Sequence, residues 1–145
     1  ADKDGKTALI QAAEKGHPRV VALLADHGAE VNSRDKQGMT ALAHAAYLNR
    51  IEVAKLLLDK GANVNAVDNE GASVLVQAVS KGNLDLIKLL VARGAEVNLA
   101  DKNGVTPLME AVSAQKPDRD GRTAWDIAKK KENAKVTELL SALMR

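Results

Sequence analysis

The sequence predicts an all-α fold, a solenoid of stacked antiparallel helix pairs joined by short β-turn or hairpin loops. The main observation is a block that begins Asp-x-x-Gly and recurs along the chain at a constant interval. Its glycines are Gly5, Gly38, Gly71 and Gly104. A second block, Gly-Ala-x-Val-Asn, follows the same period at Gly28, Gly61 and Gly94. Copies in phase at this spacing are typical of a supersecondary unit that stacks on itself along one axis.

Each period opens with a helix whose two ends are marked in the sequence. A Ser or Thr precedes the first apolar stretch and can cap the free amides at the helix start. These residues are Thr7, Thr40, Ser73 and Thr106. Pro107 then takes the first helical position, where its missing N–H costs nothing. The helix is expected to end at Gly16, Asn49 and Gly82, because Gly and Asn tolerate a left-handed backbone.

A second helix follows in each period and supplies much of the predicted core. It runs through the stretches VVALLA, VAKLLL and LIKLLV and stops before the next glycine. Alanines keep the first helices slim, so that neighbouring periods can stack closely. The leucines predicted to fill the layer between periods are Leu9, Leu42, Leu75 and Leu108. Each of them contributes roughly 1.5–3 kcal/mol when buried.

The repeated blocks resemble the ankyrin-repeat family over nearly the whole chain. The match lies in the Asp-x-x-Gly-x-Thr-x-Leu-x-x-Ala block, in the Gly-Ala-x-Val-Asn loop and in the length of the period. One position departs from the family, which usually has His after the Leu; here it carries Ile10, Ala43, Val76 and Met109. The resemblance implies an ankyrin-repeat solenoid that forms a single domain. Its parts are repeats at 1–34, 35–67 and 68–100, an incomplete repeat at 101–117 and a C-terminal cap at 118–145.

The period breaks near the C-terminal end of the sequence. The next matching glycine after Gly104 is Gly121, only about half a period on, so the other half of a full period is missing. A link this short, from the top of one helix to the base of the next, would be almost fully stretched. We therefore expect that a segment of about half a period or more is absent between Gln115 and Lys116. In the last unit Trp125 replaces the leucine and is expected to cover the end of the stack.

Composition argues against several classes of partner. The formal net charge is only +2, so nothing demands a polyanion. Tyr47 and Trp125 are the only aromatic residues, too few to stack single-stranded nucleic acid. No apolar run approaches the roughly 20 residues that span a bilayer. We expect a protein partner, neither nucleic acid nor membrane, and a monomeric chain.

The sequence shows no constellation that would support catalysis. His17 and His27 are expected to have structural or solvent roles, and His44 has no second His or carboxylate at i+3 or i+4 to form a metal site. The chain has no cysteine and no glycine-rich phosphate motif. Backbone hydrogen bonding in turns explains four acidic residues, Asp2, Asp35, Asp68 and Asp101. We therefore predict no enzyme activity, no catalytic residues, no metal and no cofactor.

The resemblance implies that a partner contacts the hairpin tips and the concave face of the first helices. On each first helix, positions related as i, i+3 and i+4 share a face away from the buried stripe. They are Gln11, Glu14 and Lys15; His44, Tyr47 and Leu48; Gln77, Ser80 and Lys81; and Glu110, Ser113 and Ala114. Tyr47 and Leu48, with Met39 on the adjacent hairpin, are predicted to form an apolar hot spot. The alternative is that Tyr47 only packs against its neighbours.

The predicted function is that of a protein–protein interaction module. Two alternatives stay open at this point. The chain could be a regulatory or inhibitory subunit whose groove closes over an enzyme, or a designed or reconstructed binding scaffold. The identity of the partner does not follow from the repeat pattern, because one fold serves many targets. A cytoplasmic location is expected; a periplasmic or secreted one is the alternative, since a cleaved signal peptide would leave no trace.

Overall fold

The computed structural model describes residues 1–107, 109, 110 and 138 of the chain. Six α-helices lie in this part of the sequence, and each repeat pairs a shorter first helix with a longer second one. They are α1 (Ala8–Lys15), α2 (Pro18–Asp26), α3 (Ala41–Tyr47), α4 (Ile51–Asp59), α5 (Val74–Ser80) and α6 (Leu84–Ala92). First helices pack in one row, α1 on α3 and α3 on α5, and second helices pack in another. The predicted all-α solenoid is confirmed.

The first helices begin and end where the sequence predicts. The Thr7 hydroxyl accepts the N–H of Ile10 at 3.3 Å, and Thr40 accepts that of Ala43 at 3.2 Å. Ser73 and Thr106 cap their helices in the same way. At the other end Gly16 has φ 72° and Asn49 has φ 62°, both in the left-handed region. Each first helix is thereby kept short, between its cap and this turn.

One aspartate organises each hairpin between repeats. Asp35 Oδ1 accepts the N–H groups of Gln37 at 3.0 Å and of Met39 at 2.9 Å. Gly38 donates its N–H to the Asp35 carbonyl and has φ 80°, a conformation that glycine adopts without strain. In the other hairpins, Oδ1 of Asp2, Asp68 and Asp101 likewise accepts the N–H groups of the residues two and four positions after that aspartate. The predicted backbone role of the turn aspartates is confirmed.

The core is a continuous apolar layer that runs from repeat to repeat. Leu9, Leu42 and Leu75 are at most 2% exposed, as predicted. Five alanines of the first helices are fully buried, namely Ala13, Ala41, Ala45, Ala46 and Ala78. Because their side chains are single methyl groups, neighbouring first helices can pack closely. Within the described residues the only β-type pairing is an isolated bridge between Val67 and Ser73.

Several predictions concern residues outside the described part of the chain. They are the burial of Leu108, the missing segment between Gln115 and Lys116, and the capping role of Trp125. The boundary between the incomplete repeat at 101–117 and the cap at 118–145 also lies outside the described residues.

Candidate partner-binding surface

The predicted binding residues lie on the first helices and one hairpin, but they differ widely in exposure. Four are exposed, namely Lys15, Tyr47, Leu48 and Lys81. Six are half-buried, namely Gln11, Glu14, Met39, Gln77, Ser80 and Glu110. His44 is buried, and Ser113 lies outside the described residues, as does Ala114. The structure therefore divides the predicted face into an exposed subset and a subset that serves the fold.

Tyr47 and Leu48 form the apolar patch of this face. They are 44% and 38% exposed, so neither is buried among its neighbours. The Lys81 ammonium lies 4.0 Å from the centroid of the Tyr47 ring, a cation–π contact that orients the ring toward the third repeat. Met39 instead packs partly against the core. Ile51, 36% exposed at the start of α4, follows the patch closely in the chain and is not among the predicted binding residues.

Gln11, His44 and Gln77 occupy the same position in three successive repeats, and each fastens a hairpin to its first helix. Each side chain meets, through Nε2, the second carboxylate oxygen of the turn aspartate that opens its own repeat. The distances are 3.0 Å for Gln11, 2.7 Å for His44 and 3.2 Å for Gln77. We call this recurring contact the turn latch. Helical spacing alone placed these residues on a binding face, whereas the structure uses them internally.

His44 is the predicted binding residue that the fold buries most deeply. Its residue exposure is 7%, and its Nε2 lies 2.7 Å from Oδ2 of Asp35, whose side chain is fully buried. Its Nδ1 lies 3.0 Å from Oε1 of Glu14 in the preceding repeat. Both ring nitrogens have partners within the fold, so His44 joins the first repeat to the second. The helical pattern missed this because Asp35 and Glu14 belong to different elements.

The Glu14 carboxylate is paired with two side chains within the fold, those of Lys6 and His44. Its Oε1 accepts a hydrogen bond from Lys6 Nζ at 2.5 Å and also meets the His44 ring. The hydrogen bond to Glu14 raises the pKa of Lys6 above its usual 10.5. Lys15 and Lys81 are exposed on the same row of positions and make no salt bridge within the described residues. The exposed charge of this face is therefore positive.

The hydrogen bonds of the first hairpin also perturb an ionisable group. The Lys6 N–H donates to Asp2 Oδ1 at 2.9 Å, and the Asp4 N–H donates to the same oxygen. These bonds, that of Lys6 first, lower the pKa of Asp2 below its usual 3.8. The shift follows from the turn geometry.

The exposed side chains of the described residues form contact surfaces. No group of three or more His, Asp or Glu side chains among them could hold a metal ion. None of the described helices is both long and apolar enough to cross a membrane. What the face presents is an apolar pair, Tyr47 and Leu48, with lysine ammonium groups near it. Such a surface suits association with another macromolecule.

Comparison with protein-family models gives two matches, both described as ankyrin repeats. The model for three copies matches residues 1–68. The model for many copies matches residues 57–111. Taken together they run from residue 1 to residue 111 and include all six helices. A search of curated proteins finds no match to the chain.

Proposed function

Because the chain is an ankyrin-repeat protein, and such repeats are protein–protein interaction modules, we propose that it binds a partner protein through the apolar patch of Tyr47 and Leu48. The observation that carries the proposal is the exposure of this pair, 44% and 38%. The equivalent positions of the first repeat hold Glu14 and Lys15, and those of the third hold Ser80 and Lys81. Only the second repeat among these three presents large apolar side chains there.

The energetics favour covering the patch. Full burial of a large apolar side chain is worth roughly 1.5–3 kcal/mol, so removing the remaining exposed area of both residues yields about 2 kcal/mol. The Tyr47 ring is already oriented by Lys81, which lowers the entropy lost when a partner fixes it. Oriented aromatic side chains of this kind are frequent hot spots in interfaces.

The charges beside the patch indicate the chemistry of the partner. Lys15, Leu48 and Lys81 occupy one position in three successive repeats, so a lysine stands on either side of the patch along the row. The residues directly before these three are Glu14, Tyr47 and Ser80, and the one acidic residue among them, Glu14, is already paired with Lys6. The surface therefore fits a segment whose apolar anchor is flanked by acidic residues, since rim charges steer association.

The proposal is tested by affinity capture with the full chain and quantification of each captured protein. Tyr47→Ala combined with Leu48→Ala is expected to lower the affinity for the specific partner by a factor of about 10 or more, because hot-spot truncations cost about 2 kcal/mol. The matched control is Val20→Ala combined with Leu23→Ala, which truncates two exposed apolar residues of α2. This control is expected to bind as the unaltered chain does.

Circular dichroism of both double variants establishes that the helices are intact. Equal capture by the Tyr47→Ala/Leu48→Ala variant and the unaltered chain would refute the proposed site. Weaker binding at high salt is expected in addition, because the flanking lysines act through screened charge.

A further inference from the structure

One hairpin of the chain contains an asparagine that is directly followed by a glycine. The pair is Asn103 and Gly104, in the hairpin that opens the fourth repeat. Every other asparagine of the chain precedes a residue with a side chain. Because Gly104 has no Cβ, its backbone nitrogen is sterically open to the side chain of the residue before it. Asn103 is therefore the asparagine whose sequence context most favours reaction of its side-chain amide with the backbone.

Most asparagine side chains in the described part of the chain are held by hydrogen bonds. Those with such bonds are Asn32, Asn49, Asn63, Asn65, Asn69 and Asn83. Asn98 and Asn103 make none through their side chains among the described residues. The residue after Asn98 is Leu99, whose side chain hinders the backbone nitrogen between them. Asn103 thus combines a free side-chain amide with an unhindered nitrogen.

The position of Asn103 is exposed in each of the described hairpins. Its counterparts in the first three hairpins are Asp4, Gln37 and Glu70. All four residues are exposed, and none uses its side chain in a hydrogen bond or ion pair within the part of the chain that is described. This holds even though the next hairpin donates a backbone N–H to the carbonyl of each counterpart at 3.0 Å. The exposure of Asn103 is therefore a property of its place in the hairpin.

The turn restrains the nitrogen that would react with this side chain. The Gly104 N–H donates to the Asp101 carbonyl at 3.0 Å. Oδ1 of Asp101 accepts the N–H groups of Asn103 at 2.8 Å and of Val105 at 2.9 Å. The proton that Gly104 would lose on attacking Cγ of Asn103 is the one held in the bond to Asp101. Ring closure therefore requires the hairpin to open, and its rate follows the fraction of open hairpin.

We propose that Asn103 is a deamidation site, and that Asp101 is the positioning residue that limits its rate. In the open hairpin the Gly104 nitrogen forms a bond to Cγ of Asn103, and the bond from Cγ to Nδ2 breaks. Nδ2 leaves as ammonia with the proton that Gly104 loses. Water then opens the five-membered imide and leaves either aspartate or isoaspartate at this position. Water is the only co-reactant.

The product weakens the hairpin in which it forms. Isoaspartate lengthens the main chain by one carbon, so the N–H groups of residues 103 and 105 no longer both fit Oδ1 of Asp101. The reaction also places a second carboxylate beside that of Asp101, and like charges repel. The fourth hairpin is then expected to open more readily. This inference goes beyond the proposed partner-binding function and does not depend on the patch of Tyr47 and Leu48.

The test follows the full chain during incubation in mildly alkaline buffer, with peptide mapping by mass spectrometry. Deamidation is read as the mass gained when an amide becomes an acid, and isoaspartate is read with a protein isoaspartyl methyltransferase. We expect Asn103 to deamidate before every other asparagine of the unaltered chain. Its rate is expected to be about tenfold higher or more in urea than in the folded chain, because urea opens the hairpin.

Three variants separate the effect of the turn from that of overall stability. Asp101→Ala removes the acceptor of two amide hydrogen bonds and is expected to raise the rate in the folded chain by about tenfold. Asp101→Asn keeps an acceptor oxygen and is expected to stay near the unaltered rate. Asp2→Ala removes the same two bonds from the first hairpin and is expected to leave the rate at Asn103 unchanged.

Equal rates at Asn103 in the folded and the urea-unfolded chain overturn the proposal. So does equal acceleration by Asp101→Ala and Asp2→Ala, or earlier deamidation at another asparagine of the unaltered chain. Circular dichroism shows whether Asp101→Ala keeps its helices. If it does not, the comparison with urea still decides, because it uses the unaltered chain alone.

Discussion

Replacing His44 tests whether the turn latch or the contact with Glu14 stabilises the junction of the first two repeats. His44→Gln is the informative variant, because Gln11 and Gln77 already fill this position in the neighbouring repeats and meet the turn aspartates there. A glutamine is expected to keep the bond to Asp35 and lose only the contact with Glu14. His44→Leu keeps the bulk of the side chain and loses both contacts.

The structure indicates different losses of stability for His44→Gln and His44→Leu. Glu14 keeps its hydrogen bond to Lys6 and its side chain is 24% exposed, so His44→Gln is expected to cost about 0.5 kcal/mol. The Asp35 side chain is fully buried, and Leu leaves its Oδ2 without a donor from position 44. Such a buried, unpaired carboxylate oxygen costs about 3 kcal/mol.

Urea unfolding of both variants at neutral pH measures the difference. With an m value of about 2 kcal/mol/M, His44→Leu is expected to lower the midpoint by about 1.5 M and His44→Gln by about 0.25 M. Equal losses of stability for the two variants, or an unchanged midpoint for His44→Leu, would show that the contact of His44 with Asp35 does not stabilise the fold. The reasoning from burial and hydrogen bonding would then be wrong.

Two further predictions concern the hairpins and the first junction. Gly38→Ala is expected to destabilise the chain by about 2 kcal/mol more than Gly28→Ala in thermal or urea unfolding. Both glycines have positive φ, 80° and 87°. A Cβ at Gly38 would lie 2.8 Å from the backbone N of Asn69, whereas a Cβ at Gly28 would lie in open space. Similar losses for the two variants would contradict this prediction. The raised pKa of Lys6 means that its pairing with Glu14 stabilises the fold below about pH 10.5 and loses that effect as the pH rises through the higher folded value. The unaltered chain should therefore lose stability more steeply than Lys6→Met between pH 10 and 12 in a series of urea midpoints, and parallel curves would count against the pairing.

Much of the fold follows from the sequence because its signals are local. Thr40 caps a helix through the amide of Ala43, and Asp35 bonds the amides of Gln37 and Met39, so the chemistry of each element lies within one short window. The constant period of the repeats then extends each local prediction to the other copies. The apolar patch was found in the same way, because Tyr47 and Leu48 interrupt a repeating polar pattern.

The remaining features depend on contacts between repeats. The pairing of His44 with Glu14 joins residues that lie far apart in the chain and in different repeats, and no local pattern predicts it. A signal for the latch did exist, since Gln11, His44 and Gln77 all stand at the same distance in sequence from a turn aspartate and all carry an N–H donor. The exposure of Val20 could not be predicted, because its sequence context matches that of the buried Val53.

The turn latch has a consequence for the kinetics of association. In three successive repeats the second carboxylate oxygen of the turn aspartate contacts a side chain of the first helix of the same repeat. This contact restricts the motion of each hairpin relative to that helix. These loops lose their conformational entropy on folding, before a partner binds. A protein that engages this edge meets a rigid template, so encounter should proceed as a rigid-body event whose rate depends on diffusion and charge more than on loop rearrangement.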